Sequence, residues 1–295
     1  MLNCDCICLT IINRFLKIKY LKIPSLIIYF GKFLQFLSPY LASMYAAKLF
    51  STPFKHKIPK REFDMDSKSV QQKLQIPKIN KDIVVYSYGD SAKKVLLVHG
   101  WSGRGTQLFK IADELLKNGF STISFDAPAH GKSTGKTTLL PEFVASILEL
   151  QKQFGPFEFV VGHSLGSMSI LKALTEKLVV KKAVIIGSGD IIQDIIDDFL
   201  HKLKLSKKVG LLMKYRFEKK SGTSMEQLSS YISATKITIP VLIIHDENDD
   251  DVPVNCAINI HKHLKGSELM LTKKLGHRKI LGDKKVIEKI INYLK

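Results

Sequence analysis

Cysteine is scarce in this 295-residue chain and poorly placed for structural work. Cys4, Cys6 and Cys8 crowd the first eight residues and Cys256 stands alone, so neither a disulfide framework nor a zinc-ligand spacing is present. A reducing compartment fits that usage, and a cytoplasmic location is expected. The three leading cysteines could carry a lipid or a metal, but an unstructured terminus is the simpler reading. Long apolar runs are also missing. Residues 7–50 are rich in apolar side chains but are broken by Arg14, Lys17, Lys19, Lys22, Lys32 and Lys48. No stretch reaches the roughly 18–20 uninterrupted apolar residues of a spanning helix. A secretory leader would need a clean apolar centre, and Lys32 sits in the middle of "IPSLIIYFGKFLQFLSPYLASMYAA". Amphipathic helices packed on the main domain are expected there, with an interfacial membrane anchor as the alternative; the first twenty or so residues read as a leader.

Acid is short as well. Asp and Glu number 27 against 45 Lys and Arg, a formal charge of +18. Such an excess can serve nucleic acid, anionic lipid or an acidic ligand. The lysines are spread along the chain without alternating with stacking aromatics, so nucleic-acid binding is not expected. Internal repeats and low-complexity blocks are absent too. Hydrophobic residues make up 45%, enough for a substantial core.

Short apolar runs then set the organisation: "IVVYSY", "VLLVHG", "STISFDA", "FEFVVGH", "KAVIIGSG" and "PVLIIHD", several followed by helical periodicity. In "TQLFKIADELLKNGF", Leu108, Ile111, Ala112, Leu115 and Leu116 share one face before Gly119 closes the segment. Ile287, Ile290, Ile291 and Leu294 do the same at the end of the chain. Strands that are apolar throughout are buried on both faces, as in a parallel sheet covered by helices. The reading is an α/β domain over residues 76–295, preceded by a leader and helical extension over 1–75. Residues 51–76 read as a polar connector with one short helix. Residues 191–236 are too long for one crossover and read as two or three helices inserted over an end of the sheet.

Ligands of open parallel sheets sit beyond the carboxyl ends of the strands. There the run "FEFVV" stops in Gly162-His163-Ser164-Leu165-Gly166 and a helix follows. Glycines on either side give a tight bend room, the bend holds a serine hydroxyl outward, and it aims the N–H of Leu165 at whatever Ser164 attacks. A hydroxyl is a weak nucleophile and needs a base. His99 and His245 end strands, and His163 leaves the bend in another direction. His130 braces a glycine-containing loop. His277, in "LGHRKIL" after the last expected strand, lies on the edge of Ser164 and is the candidate base. A carboxylate must hold its imidazole, and "IIHDENDDDVP" offers Asp246, Glu247, Asp249, Asp250 and Asp251.

The pieces "LLVHGWSG", "FDAPAHGKS", "GHSLG", "IIHDENDDDVP" and "LGHRKIL" resemble the α/β-hydrolase superfamily over residues 83–295. The likeness is to serine aminopeptidase-like and lysophospholipase-like members with a small helical cap. The resemblance implies an α/β-hydrolase fold, a mostly parallel doubly wound sheet, and a nucleophile–acid–base order of Ser164, Asp249, His277. It selects Asp249 by counting back from Val252-Pro253, although Asp246 stands where the family usually has glycine and Asp250 and Asp251 flank the choice. It also implies an oxyanion hole from the N–H groups of Trp101 and Leu165. Trp101, the only tryptophan, would wall an acyl pocket or simply pack the core.

The expected activity is hydrolysis of a carboxylic ester through an acyl-enzyme, on a small-molecule acyl substrate, with no cofactor and no metal. A peptidase, thioesterase or acyltransferase using the same residues, or a ligand-binding protein without catalysis, are the alternatives. The insertion carries Lys202, Lys204, Lys207, Lys208, Lys214, Arg216, Lys219 and Lys220. Facing solvent, they merely solvate a helix; facing the pocket or a bilayer, they favour anionic or lipid-borne substrates.

Overall fold

The structure, a computed structural model, describes residues 23–295. The leader and Cys4, Cys6 and Cys8 lie outside the described residues. Two helices come first, α1 (Ser25–Leu37) and α2 (Pro39–Phe50). Ser38 separates them: its extended backbone breaks the helix and its Oγ accepts from the N–H of Tyr40, while Pro39 opens α2. A short α3 (Phe63–Lys68) leads into β1 (Val70–Ile76).

The remaining elements alternate: β2 (Lys81–Tyr88), β3 (Lys94–Val98), α4 (Phe109–Lys117), β4 (Ser121–Asp126), α5 (Leu140–Phe154), β5 (Phe159–His163), α6 (Leu165–Glu176) and β6 (Lys182–Ile186). An insertion follows, with α7 (Ile192–Leu203), α8 (Lys207–Ser221) and the short α9 (Ser230–Ala234). The chain returns as β7 (Val241–Asp246), α10 (Asn255–His263), β8 (Glu268–Thr272), a single turn α11 (Gly276–Lys279) and α12 (Lys284–Leu294). The strands make one eight-stranded sheet in the order β1-β2-β4-β3-β5-β6-β7-β8. The pairs β1–β2 and β2–β4 are antiparallel and every other pair is parallel.

Alternate residues of the central strands feed two separate cores. Val160, Ala183, Ile185 and Ile243 face Phe143 and Ile147 of α5 and Ile170 and Leu171 of α6. Val161, Val184, Ile186, Leu242 and Ile244 face Ile111 and Leu115 of α4 and Ile290, Ile291 and Leu294 of α12. Burial on both faces is why these strands are continuous apolar runs.

The segment read as a connector differs from expectation, because β1 belongs to the sheet. Val70, Gln71, Gln72 and Lys73 are exposed, and only Ile76 is buried. An edge strand whose first four residues are wet on both faces carries no clear apolar signature. The insertion does form helices, and the N-terminal helices pack on it. Ala42 and Ala46 of α2 are fully buried in the same core as Leu203, Val209 and Met213 of α7 and α8. Their small side chains permit the close approach.

Candidate active site

Ser164 stands between β5 and α6 with φ 54° and ψ −120°, a left-handed conformation for a residue with a Cβ. Such a geometry costs on the order of 1–3 kcal/mol and persists only where the surroundings enforce it. They do so here. The N–H of Ser164 donates to the carbonyl of Ile186 at 2.8 Å, and Ser167 Oγ bridges the N–H and carbonyl of the same Ile186. A Cβ on Gly166 would strike the carbonyl oxygens of Val98 and His99, and one on Gly162 would strike Ile170 and the N–H of Ser167. Both glycines are therefore required for the helix to approach the strands. The expected elbow is present.

His277 lies on α11. Its Nδ1–H donates to Asp249 Oδ2 at 2.7 Å, and its Nε2 has no hydrogen-bond partner among the described residues. The imidazole rests on Gly187, the residue after the Ile186 that holds Ser164: a Cβ there would lie 3.2 Å from Nδ1 and 3.3 Å from Cε1. Serine and imidazole thus flank the same end of β6. Ser164 Oγ itself makes no hydrogen bond among the described residues.

Of the five acidic residues at the end of β7 and in the loop after it, the resemblance implied Asp249, and the five differ in their surroundings. Asp249 is buried and also accepts from the N–H groups of Asp251 and Val252. Burial alone would raise its pKa, but the bond from His277 and those two N–H groups outweigh it and hold the carboxyl below the ordinary range. Asp246, where the family usually has glycine, is fully buried and accepts from the N–H groups of Asn248 and Leu275 and from the Thr272 hydroxyl. It ties the loop after β7 to the loop that carries His277. Asp250 and Asp251 are exposed, Asp251 facing Arg278 at 3.5 Å, and Glu247 pairs with Lys273.

The loop after β3 meets the elbow at Gly100, where a Cβ would come 2.9 Å from Ser164 Cβ. His99 Nδ1 donates to the carbonyl of Gly100, and its Nε2 accepts from the N–H of Ala127. Gln107 Oε1 takes the N–H of Gly100, and His130 Nε2 takes that of Ser102. The N–H of Trp101, between them, has no acceptor among the described residues, and neither does that of Leu165 at the amino end of α6. Two free donors therefore flank the serine, one of them at the positive end of a helix. Trp101 is half-buried and meets the His130 ring edge-on at 5.4 Å.

His163 carries more of the site than its sequence position suggested. Its Nε2–H donates to the backbone carbonyl of His277 at 2.8 Å, and the two rings lie 4.6 Å apart. That bond fixes its tautomer, leaving a buried Nδ1 without a partner beside Gly100. Burial, then the neighbouring His277, lower its pKa to about 3, so the ring stays neutral. Burial likewise lowers His99 to about 4 and His130 to about 3. Position directly before the elbow serine was the only signal of this role. Among the described residues no group of three His, Cys, Asp or Glu is placed to hold a metal ion.

With this geometry in place, likenesses to known proteins become informative. A family model described as the alpha/beta hydrolase fold matches residues 93–219. No curated protein matches the chain in sequence. An esterase from Exiguobacterium antarcticum superposes with TM-score 0.62 at 20% identity, covering 76% of this chain and 99% of its own. The esterase Pf2001 of Pyrococcus furiosus gives 0.64 at 19% identity, covering 82% and 98%. A bromoperoxidase from Bacillus anthracis gives 0.58 at 18%, covering 76% and 99%. Matched family model, strand order and strained serine turn agree on the architecture: the chain has the α/β-hydrolase fold.

Proposed function

We propose that the protein is a serine hydrolase that cleaves a carboxylic ester through an acyl-enzyme. One observation carries the reading. A strained serine and a carboxylate-held imidazole with a free Nε2 flank one strand end, opposite two unused N–H donors. A solely structural turn needs none of these. The neighbours titled esterases support the same reading.

In the proposed reaction Ser164 Oγ attacks the ester carbonyl as its proton passes to His277 Nε2. Negative charge gathers on the carbonyl oxygen and is met by the N–H groups of Leu165 and Trp101; losing one such donor typically costs about 3 kcal/mol of barrier. The intermediate collapses, the C–O bond breaks, and the alcohol leaves with the proton from His277. Water then gives its proton to His277 and attacks the acyl-enzyme, and Ser164 recovers its proton as the acid departs. Asp249 remains ionised throughout, keeps Nδ1 protonated and stabilises the imidazolium.

A fluorophosphonate probe tests this directly. Labelling of the native protein that disappears in Ser164→Ala and in heat-unfolded protein is expected, with turnover of p-nitrophenyl esters graded by acyl length. Absence of labelling in the native protein would overturn the enzyme reading in favour of a ligand-binding role.

A further inference from the structure

Helix α1 carries an apolar stripe that is largely bare among the described residues, Phe30 alone meeting a neighbouring ring, that of Tyr45, edge-on at 5.2 Å. Leu26, Tyr29, Phe30, Phe33, Phe36 and Leu37 recur at helical spacing and are exposed, Phe36 by 87% and Leu26 by 80%. The opposite face is the one used internally, where Gly31 packs against Tyr45 and Leu205. Helix α2 continues the pattern with exposed Tyr40, Leu41 and Met44, and α8 adds Leu211 and Tyr215 one turn apart. Scattered apolar residues are ordinary on a surface, but a continuous aromatic-rich stripe across neighbouring helices marks a partner.

Charge identifies which partner. Residues 23–50 contain Lys32 and Lys48 and no acid. On α8, Lys208, Leu211, Tyr215 and Lys219 lie at helical spacing, so the exposed apolar pair is bracketed by cations, and Lys207 and Lys220 add to it. Between α2 and α8 runs a cleft of about 570 Å³ lined by Tyr40, Met44, Lys48, Tyr215, Arg216 and Lys220. Arg216 Nη1 donates to the Tyr40 hydroxyl and its guanidinium stands 5.4 Å from the Tyr40 ring. Apolar centre, amphipathic aromatics and cationic rim are what an interface of acyl chains and anionic headgroups selects. Two copies meeting here would oppose cations with cations, on a chain already at +18.

We propose that the exposed faces of α1, α2 and α8 form a peripheral docking surface for an anionic phospholipid bilayer. The helices lie in the plane of the interface, and among the described residues none is long and apolar enough to cross it. The lysines reach headgroup phosphates while Phe33, Phe36 and Leu26 enter the acyl boundary. The surface stands on its own residues, whether or not Ser164 is a nucleophile.

Vesicle co-sedimentation of the full chain tests the proposal, using phosphatidylcholine alone and phosphatidylcholine with about 30 mol% phosphatidylserine. Binding at least about tenfold stronger to the anionic vesicles, weakened in about 0.5 M salt, is expected. The double variant Phe33→Glu/Phe36→Glu should lose about tenfold or more of that binding. Both side chains are exposed, so its circular dichroism and thermal midpoint should match the parent. Lys208→Glu/Lys219→Glu is a second, independent variant with the same expectation. Equal binding to both vesicle types, no binding, or unchanged binding by both variants would overturn the proposal. So would a parent that is dimeric in solution and becomes monomeric in Phe33→Glu/Phe36→Glu, since the face would then belong to a second copy.

Discussion

Gly187 lies under the imidazole of His277, so close that a Cβ would sit 3.2 Å from Nδ1 and 3.6 Å from the Asp249 carboxylate. Its φ of 57° is also one that a side chain resists. Gly187→Ala is therefore expected to push the ring aside. The kcat of the proposed ester hydrolysis should fall about 10- to 100-fold, because misplacement of a reacting group by about 1 Å is that costly. Far-UV circular dichroism should be unchanged; undiminished turnover would mean that the ring does not work where it rests.

The acidic loop offers a sharper discrimination. Asp249→Asn keeps the shape but loses the charge that holds His277, and kcat/KM should fall about 10³- to 10⁴-fold. Asp250→Asn and Asp251→Asn are exposed and should stay within about twofold of the parent. Asp246→Asn should lower the thermal midpoint, since three donors lose their carboxylate acceptor. Initial rates and thermal melts on the four variants decide the matter.

His163 is expected to act as a positioning residue. His163→Phe preserves ring packing but leaves the His277 carbonyl without its donor. The expected result is a kcat about tenfold lower with KM unchanged, since the loop and not the substrate pocket has moved. His163→Gln, whose amide can still reach that carbonyl, should recover part of the loss. A purely structural role would lower stability in both variants without this split.

Acid should unfold the protein early. Burial holds His99, His130 and His163 neutral, at about 4, 3 and 3 against an ordinary value near 6.5. Below 6.5 the unfolded chain binds protons that the folded one refuses, so stability is complete above that pH and declines as pH falls toward 3. Each group contributes up to about 1.4 kcal/mol per pH unit in that window. Asp249 and Asp246, held below the ordinary carboxylate range, pull the same way at lower pH. Chemical denaturation at pH 7.5, 6 and 5 should give a steadily falling unfolding free energy, and a flat profile would contradict it.

What could be read from the sequence follows from which contacts are local. Strands buried on both faces announce themselves, as "VLLV", "FVV" and "VLII" do, and the elbow declares itself because Gly162 and Gly166 flank Ser164. The polar strand β1 was hidden because Gln71, Gln72 and Lys73 have no apolar face to repeat. Only the resemblance singled out Asp249 among five neighbouring carboxylates; the turn of the backbone that gives Asp249 two N–H groups and the imidazole, and ties Asp246 to the loop of His277, lies outside local sequence. His163 and Gly187 were invisible as partners of His277 because 114 residues separate the first pair. The N-terminal helices were expected to pack, and they do, but a segment apolar on nearly every side does not declare which side stays bare.

The inserted helices of this protein rest on a remote stretch of chain, since Ala42 and Ala46 of α2 share a core with Val209 and Met213 of α8. Trimming the first fifty residues to ease preparation would thus remove half of a joint. The inserted helices would lose their abutment, and a shortened protein that still folds would report the behaviour of a sheet whose added helices have been set loose.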